Sequence, residues 1–198
     1  MVTRVKICGL TCQEDAELAI ELGASAIGFV LEPSSKRFLH PVPAWIAKLP
    51  VYVARVAVFG AVPASFDLKS FDAVQGLGVR AVYFAGRKIA TVRCGSGASP
   101  ESLIKSAAGG DAILLDAAVE GSFGGTGTQA DWDVAAEVVR IASKPVILAG
   151  GLNPDNVADA IRKIRPFAVD VASGVEASPG VKDKAKMKAF FEAVRSVP

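Results

Sequence analysis

The stretch PVILAGG, residues 145–151, decides how this sequence folds. Its middle is a continuous apolar run, typical of a strand covered on both faces, and it ends in Gly150 and Gly151. A similar run, AILLD at residues 112–116, precedes a glycine-rich segment, and AVDV at residues 168–171 leads into Ser173 and Gly174. Glycines that follow the last strands of a repeated strand–helix unit are typical of a (β/α)₈ barrel with a phosphate site.

The rest of the chain repeats this unit. The predicted strands are residues 5–8, 26–30, 53–59, 79–84, 89–93, 112–115, 146–148 and 168–171. The predicted helices have apolar residues three or four apart and cover residues 13–22, 42–47, 65–77, 100–107, 131–142, 153–164 and 183–194. Eight such units predict a closed parallel barrel formed by one domain, residues 1–198. An open doubly wound sheet is disfavoured because its phosphate loop carries several glycines after the first strand, where Gly9 stands alone.

The length of the chain predicts a missing helix. With 198 residues, the chain is shorter than the roughly 250 residues typical of this barrel. Only residues 85–88 separate the predicted fourth and fifth strands, too few for two helical turns of about 3.6 residues each. We therefore expect the helix between strands four and five to be missing or reduced to a turn.

Composition excludes several classes of protein. The chain is 51% hydrophobic with a formal net charge of +2, and its charges are interspersed, which argues against nucleic acid as a partner. No apolar stretch approaches the roughly 18 residues of a membrane span, and no secretory signal is recognisable, so we expect a cytoplasmic protein. Three cysteines and one histidine predict neither a disulfide framework nor a structural metal.

Cys8 and Asp116 are the candidate catalytic residues. Cys8 ends the first strand before Gly9, where a thiolate could remove a proton from carbon if positive charge lowers its pKa from about 8.5. Asp116 ends the sixth strand, where a desolvated carboxyl group could act as a general acid. The alternatives are a small buried hydrophobic residue for Cys8 and a turn or cap residue for Asp116.

Substrate-binding candidates follow other strands. Arg37 lies in the segment EPSSKR after strand two, and its planar guanidinium suits a carboxylate, although it could equally be a solvated surface residue. The Gly150-Gly151 and Ser173-Gly174 pairs can expose backbone amides to phosphate, but each alone is also compatible with an ordinary turn.

Three charged residues have the strand parity of the barrel interior. Lys6, Arg55 and Asp170 would be unfavourable there without partners, so we expect them to satisfy one another and support the structure. Lys6 and Asp170 in particular should be close, because strands one and eight are neighbours in a closed barrel.

Several motifs together resemble the phosphoribosylanthranilate isomerase family of tryptophan biosynthesis. They are VKICGLT at residues 5–11, SSKR at 34–37, LLD at 114–116 with GGTG at 124–127, and SGVE at 173–176. The similarity covers nearly the whole chain.

The resemblance implies an aldose–ketose isomerisation without a metal or organic cofactor. In this Amadori rearrangement, N-(5'-phosphoribosyl)anthranilate becomes 1-(2-carboxyphenylamino)-1-deoxyribulose 5-phosphate. Asp116 would protonate the ribose ring oxygen, and Cys8 would remove the proton from C2'. Arg37 would hold the anthranilate carboxylate, and Gly150, Gly151, Ser173 and Gly174 would hold the phosphate. Residues 124–127, with Gly125 and Gly127, resemble the family's mobile loop over the substrate.

The chain departs from the family at the predicted strand four. Where the family usually has Val-Gln-Leu-His-Gly and a helix, the predicted strand has Val82-Tyr83-Phe84-Ala85-Gly86, with Ala85 instead of histidine.

Two other kinds of function remain open. The first is a related isomerase of the histidine pathway, or an enzyme that acts in both pathways, and the second is a barrel that binds a phosphosugar without turnover. Cys8 disfavours the first, whose chemistry uses two aspartates, and the Cys8–Asp116 pair disfavours the second. The expected state is a monomer or a homodimer, in which a second copy could cover the flank left by the missing helix.

Overall fold

Eight parallel strands form the centre of the molecule. The computed structural model describes residues 3–63, 66–94, 97–116 and 129–198. The barrel strands are β1 (Arg4–Cys8), β2 (Ala26–Val30), β3 (Ala54–Ala61), β4 (Ala73–Leu77), β5 (Arg87–Arg93), β6 (Ala112–Asp116), β7 (Val146–Ala149) and β8 (Ala168–Val171). They pair in sequence order, and β8 pairs with β1 to close the barrel. The predicted fold class is confirmed.

The outer shell is uneven around the barrel. Its α-helices are α1 (Gln13–Glu21), α2 (Pro100–Ser106), α3 (Gln129–Ile141), α4 (Val157–Ile164) and α5 (Lys184–Arg195). Short 3₁₀ helices at Ala44–Lys48 and Val79–Ala81 follow β2 and β4, and a third, Ser173–Val175, follows β8. A small antiparallel hairpin, β9 (Glu176–Ser178) and β10 (Val181–Lys182), precedes α5. None of the helices in the described ranges has the length and apolar character needed to cross a bilayer.

Local sequence explains where the later helices begin. The Ser99 side chain accepts a hydrogen bond from the Ser102 amide, with Pro100 at the first position of α2. Asp183 caps α5 by accepting from the amides of Ala185 and Lys186, at 2.9 and 3.0 Å. These caps satisfy amide groups that the first turn of a helix leaves without an internal partner.

The predicted elements around strand four are wrong. Residues 73–77 form β4 although a helix was expected over residues 65–77, and Val79–Ala81 is a 3₁₀ turn although a strand was expected over residues 79–84. The turn does confirm that the helix between strands four and five is reduced. The family motif Val-Gln-Leu-His-Gly must therefore be compared with Val74-Gln75-Gly76-Leu77-Gly78, and Leu77 rather than Ala85 occupies the histidine position.

The barrel interior is packed in layers contributed by alternate strands, as expected for this fold. Lys6, Val56, Ile89 and Ile147 form a lower layer; Gly28, Gln75, Leu114 and Asp170 form the next; Cys8, Val58, Thr91 and Ala149 form the upper layer. A second apolar cluster fills the space between the strands and the outer helices and includes Phe29, Leu115, Met187 and Phe190. The polar members of the inner layers therefore lie at the level of Cys8 or within two layers below it.

Candidate active site

Cys8 and Asp116 lie at the carboxyl-terminal end of the barrel. Cys8 is buried in the upper layer, and Asp116, half-buried, occupies the inward-facing position at the end of β6, one residue level higher. The backbone amide of Cys94, at the end of β5, donates to the backbone carbonyl of Asp116 at 2.8 Å and fixes that strand end. Because β7 and β8 separate β6 from β1, the thiol and the carboxyl group approach the barrel axis from different sides.

A buried ion pair lies beneath the thiol. Lys6 Nζ donates to Asp170 Oδ1 at 2.8 Å, and the two side chains are 3% and 9% exposed. Burial lowers the pKa of Lys6, but the negative charges of Asp170 and of an ionised Cys8 outweigh it, so the pKa of Lys6 lies above its usual value. The neighbouring strands β1 and β8 bring the pair together.

The pKa of Cys8 is set by opposing effects. Burial raises the pKa of its thiol, and the negative charge of Asp170 adds to that rise, whereas Lys6 and Lys182 lower it. Burial prevails, so the resting thiol keeps its proton to higher pH than a solvated cysteine. Cys8 can therefore act as a base only if positive charge near its sulfur stabilises the thiolate.

Arg37 is anchored by Glu176. Arg37 Nε donates to Glu176 Oε1 at 2.7 Å and Nη2 donates to Oε2 at 2.6 Å, a bidentate pair that joins the loop after β2 to β9. The hydrogen bonds to Glu176 raise the pKa of Arg37. The side chain runs closely over Gly9, the residue after Cys8, where an added Cβ would collide with Arg37 Cδ. The remaining guanidinium edge, Nη1 with the second hydrogen of Nη2, can still bind a carboxylate.

Lys182 connects three segments at the carboxyl-terminal opening of the barrel. Its fully buried ammonium group donates to the Cys8 carbonyl at 2.6 Å, to the Ala172 carbonyl at 3.1 Å and to Glu176 Oε1 at 3.0 Å. Burial lowers the pKa of Lys182, although Glu176 opposes the shift. One cation thus links the ends of β1 and β8 to the hairpin that carries Glu176.

The predicted phosphate loops lie next to each other. Gly150 and Gly151 follow β7 with φ of 93° and 65°, a conformation that favours glycine. Gly174, in the turn after β8, lies so close to Leu152 that an added Cβ would collide with the Leu152 carbonyl. The two loops therefore lie side by side at the carboxyl ends of β7 and β8. Gly125 and Gly127 lie outside the described residues.

Arg55 does not belong to this cluster. Its expected place in the interior with Lys6 and Asp170 is wrong, because Val56 faces inward and Arg55 therefore faces outward. Its guanidinium instead binds Asp72, Nε to Oδ2 and Nη2 to Oδ1, both at 2.8 Å. It supports the chain ahead of β4 rather than the site.

Sequence reasoning missed the roles of three polar residues. Glu176 lies in the motif SGVE and Lys182 in the segment that follows it, but neither received a function, because their partners Arg37 and Cys8 are 139 and 174 residues away in the sequence. Gln75 lies in a segment whose apolar spacing predicts a helix. In the described residues, its buried Oε1 has no hydrogen-bond partner, and it occupies the layer just below Cys8. A charged or amide residue at an inward-facing strand position is the signal that could have identified it.

The fold and the polar cluster at the carboxyl ends of the strands define the chain as a (β/α)₈-barrel enzyme. A family model described as N-(5'phosphoribosyl)anthranilate (PRA) isomerase matches residues 5–193. The chain belongs to this family, and is accordingly an isomerase of tryptophan biosynthesis.

Relatives match over the full length of the chain. The N-(5'-phosphoribosyl)anthranilate isomerase of Nitrosococcus oceani is 42% identical, with 100% of both chains covered, and that of Pseudomonas fluorescens strain Pf0-1 is 43% identical, with 97% and 98% covered. The crystal structure of the Thermotoga maritima enzyme superposes with a TM-score of 0.82 at 37% identity, covering 98% of this chain and 100% of that one. A phosphoribosylanthranilate isomerase in complex with reduced 1-(o-carboxyphenylamino)-1-deoxyribulose 5-phosphate has a TM-score of 0.78 at 33% identity, with 98% and 100% covered.

Proposed function

We propose that this chain converts N-(5'-phosphoribosyl)anthranilate to 1-(2-carboxyphenylamino)-1-deoxyribulose 5-phosphate, with Asp116 as general acid and Cys8 as general base. The observation that carries the proposal is the placement of the two groups. Both lie at inward-facing strand positions, Asp116 one residue level above Cys8. The strands β7 and β8 lie between β6, which carries Asp116, and β1, which carries Cys8. An acid and a base so arranged can act on two atoms of one bound sugar.

Each residue has one proton to move. Asp116 gives its proton to the ribose ring oxygen as the C1'–O bond breaks, and the anthranilate nitrogen forms a double bond to C1'. The Cys8 thiolate then takes the proton from C2', which leaves an enolamine. Movement of the C2' hydroxyl proton to C1' yields the ketone, and exchange with solvent returns Asp116 and Cys8 to their starting states.

The two ends of the substrate would be held by the loops around these residues. The free edge of Arg37 suits the anthranilate carboxylate, since Glu176 already fixes the orientation of the guanidinium. The amides of Gly150, Gly151, Ser173 and Gly174 suit the phosphate. Gly125 and Gly127 would cover the bound sugar, as the resemblance of their segment to the family's mobile loop implies. No organic cofactor or metal enters these steps.

The test is turnover of freshly generated phosphoribosylanthranilate, followed by the loss of anthranilate fluorescence. We expect Cys8→Ala and Asp116→Asn each to lower kcat by about 10²–10⁴-fold, the usual contribution of a general acid or base. Cys12→Ala is the matched control and should keep wild-type activity, because Cys12 lies at the start of α1, outside the barrel. Saturable binding of the substrate without turnover by the wild-type protein would instead favour a ligand-binding barrel.

We further propose that the chain forms a homodimer in the cytoplasm. A solved relative, 34% identical, is a monomer generated from the dimeric phosphoribosylanthranilate isomerase of Thermotoga maritima. In this chain Val51 and Tyr52 are 91% and 79% exposed in the loop that precedes β3, at the amino-terminal face of the barrel. The same face holds a cavity of about 550 Å³ whose apolar lining includes Ala26, Val56, Ala73, Ile89, Ala112 and Ala168. An apolar projection and an apolar cavity on one face are self-complementary under a two-fold axis.

A further inference from the structure

Gly28 creates a space that Cys8 and Lys6 share. Cys8 and Lys6 alternate on β1, so both face the barrel interior, and Gly28 is the residue of β2 paired with Cys8. A Cβ added at Gly28 would lie 2.9 Å from Cys8 Sγ and 3.0 Å from Lys6 Nζ. The sulfur and the ammonium nitrogen therefore border the same small volume, which any other residue at position 28 would fill.

The charged groups around this volume are unevenly distributed. The ammonium of Lys6 borders the same space as the Cys8 sulfur, its charge lowers the pKa of the thiol, and Asp170 from β8 accepts a hydrogen bond from the ammonium at 2.8 Å. The positive charges of Lys182 in β10 and of Arg37 in the loop after β2 also interact with the charge of an ionised Cys8. Glu176 is bonded to both of these cations and offsets their charge. Lys6 is thus the cation that shares the space beside the sulfur, and Asp170 is the anion paired with it.

A thiolate in this place needs a compensating charge. Transfer of an ionised group out of water is strongly unfavourable unless an opposite charge is paired with it. The Lys6–Asp170 pair is already neutral as a whole, so it can favour the thiolate only because the ammonium, and not the carboxylate, is among the atoms nearest to the space beside the sulfur. The orientation of the pair therefore matters as much as its presence.

We propose that Lys6 is a positioning residue for the base: its ammonium group, held by Asp170 in the space left by Gly28, stabilises the Cys8 thiolate. This inference rests on the proposed role of Cys8 as the proton acceptor. It assigns opposite effects to the two members of one ion pair. Lys6 promotes ionisation of the thiol, whereas Asp170 holds Lys6 in place and restrains ionisation through its own charge.

The experiment measures the ionisation of Cys8 without substrate. The folded protein is alkylated with iodoacetamide from about pH 6 to about pH 10, a range that spans the ordinary thiol pKa of about 8.5, and modification of the Cys8 peptide is quantified by mass spectrometry. Cys12, read in the same digest, serves as the internal control, and circular dichroism checks that each variant is folded. Lys6→Met should move the Cys8 profile to higher pH, and at a fixed pH well below the thiol pKa the reactivity should fall about tenfold for each pH unit of that movement. Asp170→Asn should move the profile to lower pH.

Two further variants keep the test decisive. Gly28→Ala should move the profile upward, because its Cβ displaces the sulfur from the ammonium, and Lys6→Arg should keep the profile closer to wild type than Lys6→Met does. Changes in the same direction for Lys6→Met and Asp170→Asn, or no change in either, would overturn the proposal and leave the pair a purely structural element. If Lys6→Met does not fold, the directions in which Asp170→Asn and Gly28→Ala move the profile still test the proposal. Retained turnover in Cys8→Ala would refute the proposed base without affecting the alkylation profiles, so the two failures are distinguishable.

Discussion

Glu176 shows how one residue can organise a site without reaching the substrate. Its carboxylate accepts hydrogen bonds from Arg37, from Lys182 and from the Gly180 amide. Burial alone raises the pKa of Glu176, but the bonds from Arg37 and Lys182 outweigh it and place the pKa below its usual value. The carboxylate therefore stays charged at neutral pH and holds the guanidinium in one orientation.

We predict that Glu176→Gln raises KM more than it lowers kcat. The amide lacks the charge that pairs with Arg37 and Lys182, and a hydrogen bond to a charged group contributes roughly 1.5–3 kcal/mol, so an increase of about tenfold or more in KM is expected. Steady-state kinetics on folded protein measures this split. Glu137→Gln, which removes the exposed pair with Arg140 on α3, is the control and should leave KM unchanged. An unchanged KM in Glu176→Gln would show that Arg37 is positioned without Glu176.

The same variant should alter stability at acid pH. Because the folded pKa of Glu176 is depressed, its ionisation stabilises the fold above the unfolded value of about 4.3, and this contribution disappears as pH falls through the lower, folded pKa. Glu176→Gln should therefore be less stable than wild type near neutral pH, and the difference should shrink in acid. Urea unfolding at several pH values measures the trend.

At the scale of elements, a strand is predicted well from the sequence when most of its residues favour strand conformation. The runs that became β1, β2, β6, β7 and β8 are β-branched or apolar at most positions, and their predicted bounds agree with the structure to within a residue or so. Strand β4, Ala-Val-Gln-Gly-Leu, contains a glutamine and a glycine, both poor strand residues, and its apolar spacing also fits a helix. Its identity as a strand comes from pairing with β3 and β5, a tertiary effect that local pattern does not carry.

The site was predictable to the same degree and for the same reason. Cys8, Asp116 and Asp170 each end or interrupt an apolar strand, so their placement at inward-facing positions follows from local parity. Arg55 was misplaced because a difference of one residue in a strand's parity moves a side chain to the other face. Glu176 and Lys182 depend on the hairpin β9–β10 folding back over the barrel mouth, which no local pattern in that segment indicates.

Gln75 in β4 gives a prediction about stability. In the described part of the chain its buried Oε1 has no hydrogen-bond partner, which is unfavourable by roughly 1–3 kcal/mol. Gln75→Leu, which keeps the shape of the side chain and removes the polar atoms, should therefore raise the free energy of unfolding by about 1 kcal/mol, measured by urea denaturation. Gln75→Glu, which adds a charge at the same place, should lower it. A loss of stability in Gln75→Leu would mean that the amide makes a favourable contact within the barrel.

At the scale of the whole molecule, the shell of helices is asymmetric. The strands β1, β5, β6 and β7 are each followed by an α-helix, whereas only 3₁₀ turns follow β2 and β4, and the described residues between β3 and β4 contain no helix. The flank beside β4 consequently exposes Tyr83, which is 99% accessible. Two surfaces are therefore candidates for the contact between copies. One is this flank, and the other is the amino-terminal face with Val51 and Tyr52. Both surfaces have a cavity: one of about 630 Å³ on the flank, lined in part by Phe66, Leu68 and Phe84, and one of about 550 Å³ on the amino-terminal face. We favour the amino-terminal face because its cavity extends into the barrel, where Tyr52 of a second copy could be buried.

We predict that Tyr52→Asp converts a dimer to a monomer and that Tyr83→Asp does not. A charge at position 52 would lose most of its hydration in the cavity of the second copy, whose lining is mainly apolar although Lys6 and Arg87 also border it, whereas a charge at position 83 would stay in water. Size-exclusion chromatography with light scattering should give twice the chain mass for the wild type and for Tyr83→Asp, but the mass of one chain for Tyr52→Asp. Dissociation by Tyr83→Asp alone would move the contact to the flank beside β4, and a monomeric wild type at high protein concentration would refute the dimer. Because the active site lies at the opposite, carboxyl-terminal end of the barrel, the monomeric variant should retain the kcat of the wild type, with its loss of assembly appearing as a lower melting temperature.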